Sequence, residues 1–149
     1  MGLKERLDED LKKAMRDQDA LRRSVLRLIR SEVHNEEIAL QKSLEDDGIV
    51  GVISRQVRQR RESIYEFRRG KRDDLVQREE AELAVILDYL PPQLTTDELT
   101  ALAQGIIREI GAQGLGDKGK VMGRLMPQVK GKAEGSAVNE VVTELLEAL

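Results

Sequence analysis

Apolar positions recur at helical spacing along nearly the whole chain. Leu3, Leu7, Leu11 and Met15 fall every four residues, which predicts one buried stripe on a first helix. The polar run Arg16-Asp17-Gln18-Asp19 interrupts it. A second helix is predicted from Leu21, Val25, Leu28, Ile29, Val33 and Leu40, closed by an acidic turn at Glu45-Asp46-Asp47-Gly48. Ile49, Val50, Ile53, Val57, Ile64 and Phe67 mark a third, with Gly70 as its stop because glycine reaches the left-handed cap conformation cheaply. Leu75, Val76, Leu83, Ile86, Leu87 and Leu90 mark a fourth, and Asp73 and Asp74 suit the positive end of its dipole.

Pro91-Pro92 cannot continue a helix and restricts the residue before it, so a boundary is expected between residues 1–92 and 93–149. Past the prolines, Thr95 and Glu98 have the spacing of a capping box. The helix they open carries Leu99, Leu102, Ile106 and Ile110 and ends at glycines 111, 114 and 116. A short helix from about Lys118 to Val129 follows from Val121, Leu125 and Val129, with Asp117 placed to cap it. Gly123 within it leaves room for a close neighbour. Ala137 through Leu149 forms the last helix, with a broad apolar face. No alternating run bounded by hairpin turns is present. The expected fold is all-α, four helices followed by a three-helix domain.

Composition narrows the chemistry. The chain has 149 residues, no cysteine, one histidine and three aromatics, Tyr65, Phe67 and Tyr89. That rules out disulfides, thiolate metal sites and a cysteine nucleophile. His34 lies among Glu32, Asn35, Glu36 and Glu37, as a solvated side chain would, and Ile38 at its i+4 position provides no second metal ligand. Ser24 and Ser136 have no base nearby in sequence. Gly114 to Gly119 is not a phosphate loop, because Lys118 precedes the last glycine and no strand leads in. These features predict no catalytic constellation, metal or cofactor. No apolar run reaches the roughly 20 residues that span a bilayer, and the opening segment has acids where a signal peptide is apolar. No membrane association and a cytoplasmic location are therefore expected.

The net charge of −3 conceals segregation. Arg22, Arg23, Arg27 and Arg30 form a first basic stretch. From Ser54 to Arg72 eight cations stand against Glu62 and Glu66, a net of +6. Between Asp117 and Glu134 there are five cations and no acid: Lys118, Lys120, Arg124, Lys130 and Lys132. Such stretches either pair with acids on other helices or form anion-binding faces. In the third, the lysines alternate with Gly119, Gly123, Gly131 and Gly135, whose short side chains let an anion approach the backbone. In the second, Arg58 and Arg61, or Arg61 and Arg68, fall on one face, with Tyr65 nearby as a candidate stacking ring. A single ring permits little base readout, so contact with phosphate backbone is expected to dominate.

Four segments carry a family resemblance: Leu3-Lys4-Glu5-Arg6-Leu7, Gln59-Arg60-Arg61-Glu62-Ser63, Ala84 to Leu94 with its Leu-Pro-Pro-Gln-Leu ending, and Gly119-Lys120-Val121-Met122-Gly123 running through Met126-Pro127 and Val129-Lys130-Gly131-Lys132-Ala133-Glu134-Gly135 to Val138-Asn139. The chain resembles the YqeY family over essentially its full length. These proteins share a module with the C-terminal end of GatB, a subunit of the aspartyl/glutamyl-tRNA amidotransferase. Glu134 stands where the family pattern has aspartate. The resemblance implies a helical N-terminal part and a three-helix C-terminal domain like the tRNA-contacting GatB tail. It also implies that a family label of carbon–nitrogen ligase with glutamine as amido donor belongs to neighbouring domains absent here. The expected function is a non-catalytic tRNA-binding accessory module, with Lys118, Lys120, Arg124, Lys130 and Lys132 as first surface and Arg58, Arg61 and Arg68 as second. The alternative is a module that docks an aminoacyl-tRNA synthetase or amidotransferase subunit through its acidic N-terminal surface and apolar last helix. The oligomeric state has no signal in the sequence.

Overall fold

The computed structural model describes residues 2–149. It is all-α, with no strand among the described residues: α1 (Leu3–Arg16), α2 (Ala20–Leu40), α3 (Asp46–Arg69), α4 (Asp73–Leu87), α5 (Thr96–Ile110), α6 (Lys118–Val129) and α7 (Gly135–Glu147). A single 3₁₀ turn, Leu115–Asp117, precedes α6. The helices divide into two compact units, Met1–Leu90 and Pro91–Leu149.

In the first unit α3 and α4 form an antiparallel hairpin, α1 packs on α2, and α2 reaches both α3 and α4. The core is aliphatic, built from Leu7, Leu11, Val25, Leu26, Ile29, Ile49, Ile53, Val57, Val76, Leu83 and Ile86. Several positions depart from the expected stripes, with Leu21 and Leu40 of the second at the surface. Met15 is 49% exposed and Ala14 is buried in its place. Steps of four advance about 400° around a helix of 3.6 residues per turn, so after three steps the stripe has drifted off the core face. Leu26, absent from the predicted stripe, is fully buried, whereas Leu28 is at the surface.

The connections also differ in detail from the sequence reading. Gln41 ends α2 in the left-handed conformation. The acidic run after it is the start of α3, with Glu45 at the cap position and Asp46 and Asp47 in the first turn. Carboxylates there suit the positive dipole end, although Glu45 makes no side-chain cap bond. Asp46 also accepts from the Leu3 backbone N–H at 3.0 Å, which ties α1 to α3. Gly70 has an ordinary φ of −81°, and the left-handed residue is Lys71 at +56°. The turn needs one such residue, and the hydrogen bond from Arg72 N–H to Phe67 carbonyl places it one position later.

Two polar clasps hold α1. Glu37 on α2 accepts from Lys4 at 2.6 Å and from the Leu44 N–H at 2.7 Å. Those bonds, the Lys4 contact foremost, hold its carboxyl below the usual glutamate range. Nearer the middle of α1, Tyr89, only 2% exposed, donates to Asp10 at 2.5 Å under the Arg6 guanidinium, 4.5 Å from the ring centroid. Burial, reinforced by the Asp10 bond, pushes the phenol well above its ordinary value. Arg6 donates in turn to the Asp88 carbonyl at 3.0 Å.

The second unit is a three-helix cluster in which α5, α6 and α7 each pack on the other two. Leu99, Ala103, Ile106, Val121, Leu125, Val129, Val138, Val142 and Leu146 fill it. The Thr95–Glu98 capping box is present, with both bonds at 3.1 Å.

Leu26→Ala is expected to cost about 2–5 kcal/mol in urea unfolding, because it leaves a cavity in the core. Met15→Ala is expected to cost less than about 0.5 kcal/mol. Glu37 binds its proton less readily in the folded than in the unfolded chain, so its contribution is present above its ordinary value near pH 4.5 and lost as pH falls below it. Glu37→Gln is accordingly expected to lower stability at neutral pH and to make the acid-induced fall in stability shallower.

Candidate nucleic-acid interface

α6 is organised by one apolar seam. Val121, Leu125 and Val129 recur every four residues and are fully buried, and Met122 and Met126 flank them. Gly119, Lys120, Gly123 and Arg124 consequently point away and are exposed, while Lys118 is half-buried in the first turn. The 12 residues of α6 extend over about 18 Å. Lys118 and Lys120 therefore sit at one end and Lys130 and Lys132 at the other, so the five cations are strung along the helix as a strip that is not a single face: Lys118 starts in register with Val121 and Leu125, on the side opposite Lys120.

Asp117 occupies the cap position, but its side chain does not cap α6. It accepts instead from the Gln113 N–H at 2.8 Å, closing the loop ahead of the helix, and approaches Lys120 only to 3.9 Å. Two N–H groups compete for one carboxylate, and the loop amide wins. Arg124 pairs with Glu109 at 3.2 Å, both exposed. Lys118, Lys130 and Lys132 have no carboxylate within ion-pairing distance among the described residues.

The glycines are not packing points within the chain. A Cβ at Gly119, Gly123 or Gly135 would meet nothing within 4 Å. Gly123 lies mid-helix, four residues before Pro127, which has no N–H to offer its carbonyl. Gly131 is different: it is buried with φ +75°, a conformation that favours glycine. Its carbonyl accepts from the Gln93 side-chain amide at 2.7 Å, and the Lys132 carbonyl accepts from the Leu94 N–H at 2.8 Å. The Pro-Pro-Gln-Leu segment thus fixes the Lys130-Gly131-Lys132 backbone and leaves both amines in solvent.

The arginines of α3 have a different fate. Arg58, Arg61 and Arg68 share one exposed face. Arg68, however, pairs with Glu80 at 2.5 Å, and Arg69 covers Tyr65 at 5.7 Å. Arg55 pairs with Glu36, Arg69 with Glu66 and Arg72 with Asp74. Arg60 turns inward to Glu79 and the buried Glu82. Much of the +6 stretch is therefore matched by acids, largely from α4, that sequence distance concealed. Of the first basic stretch, Arg22 pairs with Asp19 and Asp88, and Arg30 with Asp8.

His34 is exposed on α2, and no group of three or more potential ligands for a metal occurs among the described residues. Among the described residues no helix is long and apolar enough to cross a membrane. The apolar face of α7 is turned into the second core, with Val138 and Val142 fully buried.

A family model described as Yqey-like protein matches residues 4–146, and the chain belongs to that family. Three similar proteins share the name "Altered inheritance of mitochondria protein 41, mitochondrial". The one from Pyrenophora tritici-repentis is 32% identical over 96% of this chain and 80% of its own length. That from Lachancea thermotolerans is 37% identical over 70% of this chain, and that from Saccharomyces cerevisiae 38% over 62%. These last two matches span 57% and 51% of those proteins, little more than half their length. None of the names denotes an enzyme. The names do place these relatives in mitochondria, and this overturns the expected cytoplasmic location; charge and hydropathy of a mature domain do not encode its compartment.

Gly123→Ala is expected to raise stability by about 0.5–1 kcal/mol, since the new methyl meets open space in a helix interior. Thermal or urea unfolding measures it.

Proposed function

We propose that this chain is a non-catalytic tRNA-binding accessory module whose principal contact surface is the α6 strip. The observation that carries this reading is the set of three lysines, Lys118, Lys130 and Lys132, left without carboxylate partners, Lys118 beside the open Gly119 and the other two flanking the buried, left-handed Gly131. Several cations elsewhere, Arg30, Arg55 and Arg68 among them, are matched by acids. Unmatched amines on a strip of helical length suit a polyanion whose charges repeat along a line. Open glycines let its backbone come close to the helix.

The resemblance to the GatB tail supports RNA, and within RNA the tRNA class. Lys120 and Arg124 extend the strip, because their surface pairs are exposed and worth little against phosphate. Arg58, Arg61 and Arg68 serve as a weaker second surface. Docking of a synthetase or amidotransferase subunit is the less favoured reading, since the apolar face of α7 it would use is buried.

Total tRNA is expected to bind with log K falling against log salt at a slope of roughly −3.5 to −4.5 if all five cations engage. Lys130→Ala combined with Lys132→Ala should flatten that slope by about 1.5, whereas Arg68→Ala should change it little. Affinity no higher at about 50 mM than at 200 mM salt would sink the proposal.

A further inference from the structure

A cleft of about 460 Å³ opens between α1 and α2 in the first unit. That volume falls in the range of roughly 300–1,000 Å³ usual for small-ligand sites. Leu7 and Val33, both nearly inaccessible, supply its apolar walls. The polar groups are arranged unevenly. The two acids that line the cleft are each taken by a base at its edge: Asp8 by Arg30 at 2.7 Å and Glu37 by Lys4 at 2.6 Å. Arg27 has no carboxylate partner among the described residues. It stands at i of an i, i+4, i+7 series on α2 whose other members are Ser31 and His34, and all three line the cleft. That spacing puts them on one helical face.

We propose that this cleft binds a phosphate group, held by the Arg27 guanidinium, the Ser31 hydroxyl and the ring N–H of His34. An unmatched guanidinium offers a forked pair of donors that fits phosphate oxygens. The hydroxyl donates a third bond, and imidazole has an N–H to donate in either protonation state. The two satisfied ion pairs keep Asp8 and Glu37 from repelling the anion at close range, and they hold α1 and α2 at a fixed separation. A divalent cation is disfavoured, because both acids are already committed and no metal-binding group of three ligands forms. The site lies in the first unit and does not depend on the α6 strip. The same chemistry is presented by a small phosphorylated molecule or by a phosphate of an RNA chain.

His34 is the only histidine, so its ring-proton resonances are an isolated reporter of the cleft in the full chain. Inorganic phosphate, adenosine monophosphate and tRNA are each titrated at constant ionic strength against chloride. Saturable movement of the His34 resonances with phosphate and with the nucleotide, but not with chloride, identifies a small phosphorylated ligand. Movement with tRNA alone identifies an RNA phosphate, and repeating that titration with Lys130→Ala plus Lys132→Ala separates this site from the α6 strip. Arg27→Ala is expected to weaken the response by about tenfold or more, the effect of losing a charge-assisted bond. Ser31→Ala should weaken it to a lesser degree and provides an independent variant should Arg27→Ala lose helical circular dichroism. No saturable movement with any of the three probes, or an undiminished response in both variants, overturns the proposal.

Discussion

Burial of branched aliphatic side chains along helix seams is the constraint on which this structure rests. With three aromatics in 149 residues, Tyr89 is the one ring buried in the first core and the second core has none. Leucine, isoleucine and valine must interdigitate at close-packed density instead. Each helix exposes a charged face and has one apolar stripe, so none is stable alone and each must lie against another. The result is two separate cores, one centred on Leu26, Ile29, Ile53 and Ile86, the other on Val121, Leu125, Val129 and Val142. Polar bonds act at their margins. Glu37 and Tyr89 hold α1 at its first turn and its middle, and α1 has the shortest apolar stripe of the first unit to hold it by itself.

The same packing decides which charges are available to a partner. In the α3–α4 hairpin, burying Val57 against α4 brings Arg60 and Arg68 beside Glu79, Glu82 and Glu80. Neutralisation there is a by-product of antiparallel packing. α6 packs through Val121, Leu125 and Val129 against α5 and α7, which offer few acids along its outer side, Glu109 being one. Lysines at its two ends are left to solvent. An acidic protein can in this way leave cations unmatched along one helix while its overall charge gives no hint of it. The cleft between α1 and α2 follows a related logic. Its acids are consumed by Lys4 and Arg30, which leaves Arg27 as the group without a counter-charge.

Seven helices, their order and the capping box at Thr95 were legible in the chain because they depend on local signals: the 3.6-residue period, proline's missing N–H and the reach of a side chain to its own helix start. Details of the turns were less so. Whether Gly70 or Lys71 takes the left-handed position, and whether Asp117 caps α6 or closes the loop before it, turns on competition between hydrogen bonds of similar energy. Ala14 is covered in place of Met15 because a four-residue stripe drifts around the helix, and Leu26 is covered where Leu28 is not because the neighbouring helices decide which face is buried.

For the candidate sites the balance is different. The order of lysines and glycines from Lys118 to Gly135, and the three basic stretches, are properties of the sequence itself. Which of those cations remain unmatched is not, because ion pairs such as Arg60–Glu79 or Arg22–Asp88 join residues 19 and 66 positions apart. No local pattern reveals such partners. The sequence determined where charge and glycine occur and which residues share a helical face. Only the tertiary structure decided which faces meet, since burial of the apolar seams dominates the energy and the charges must accept whatever neighbours that burial brings.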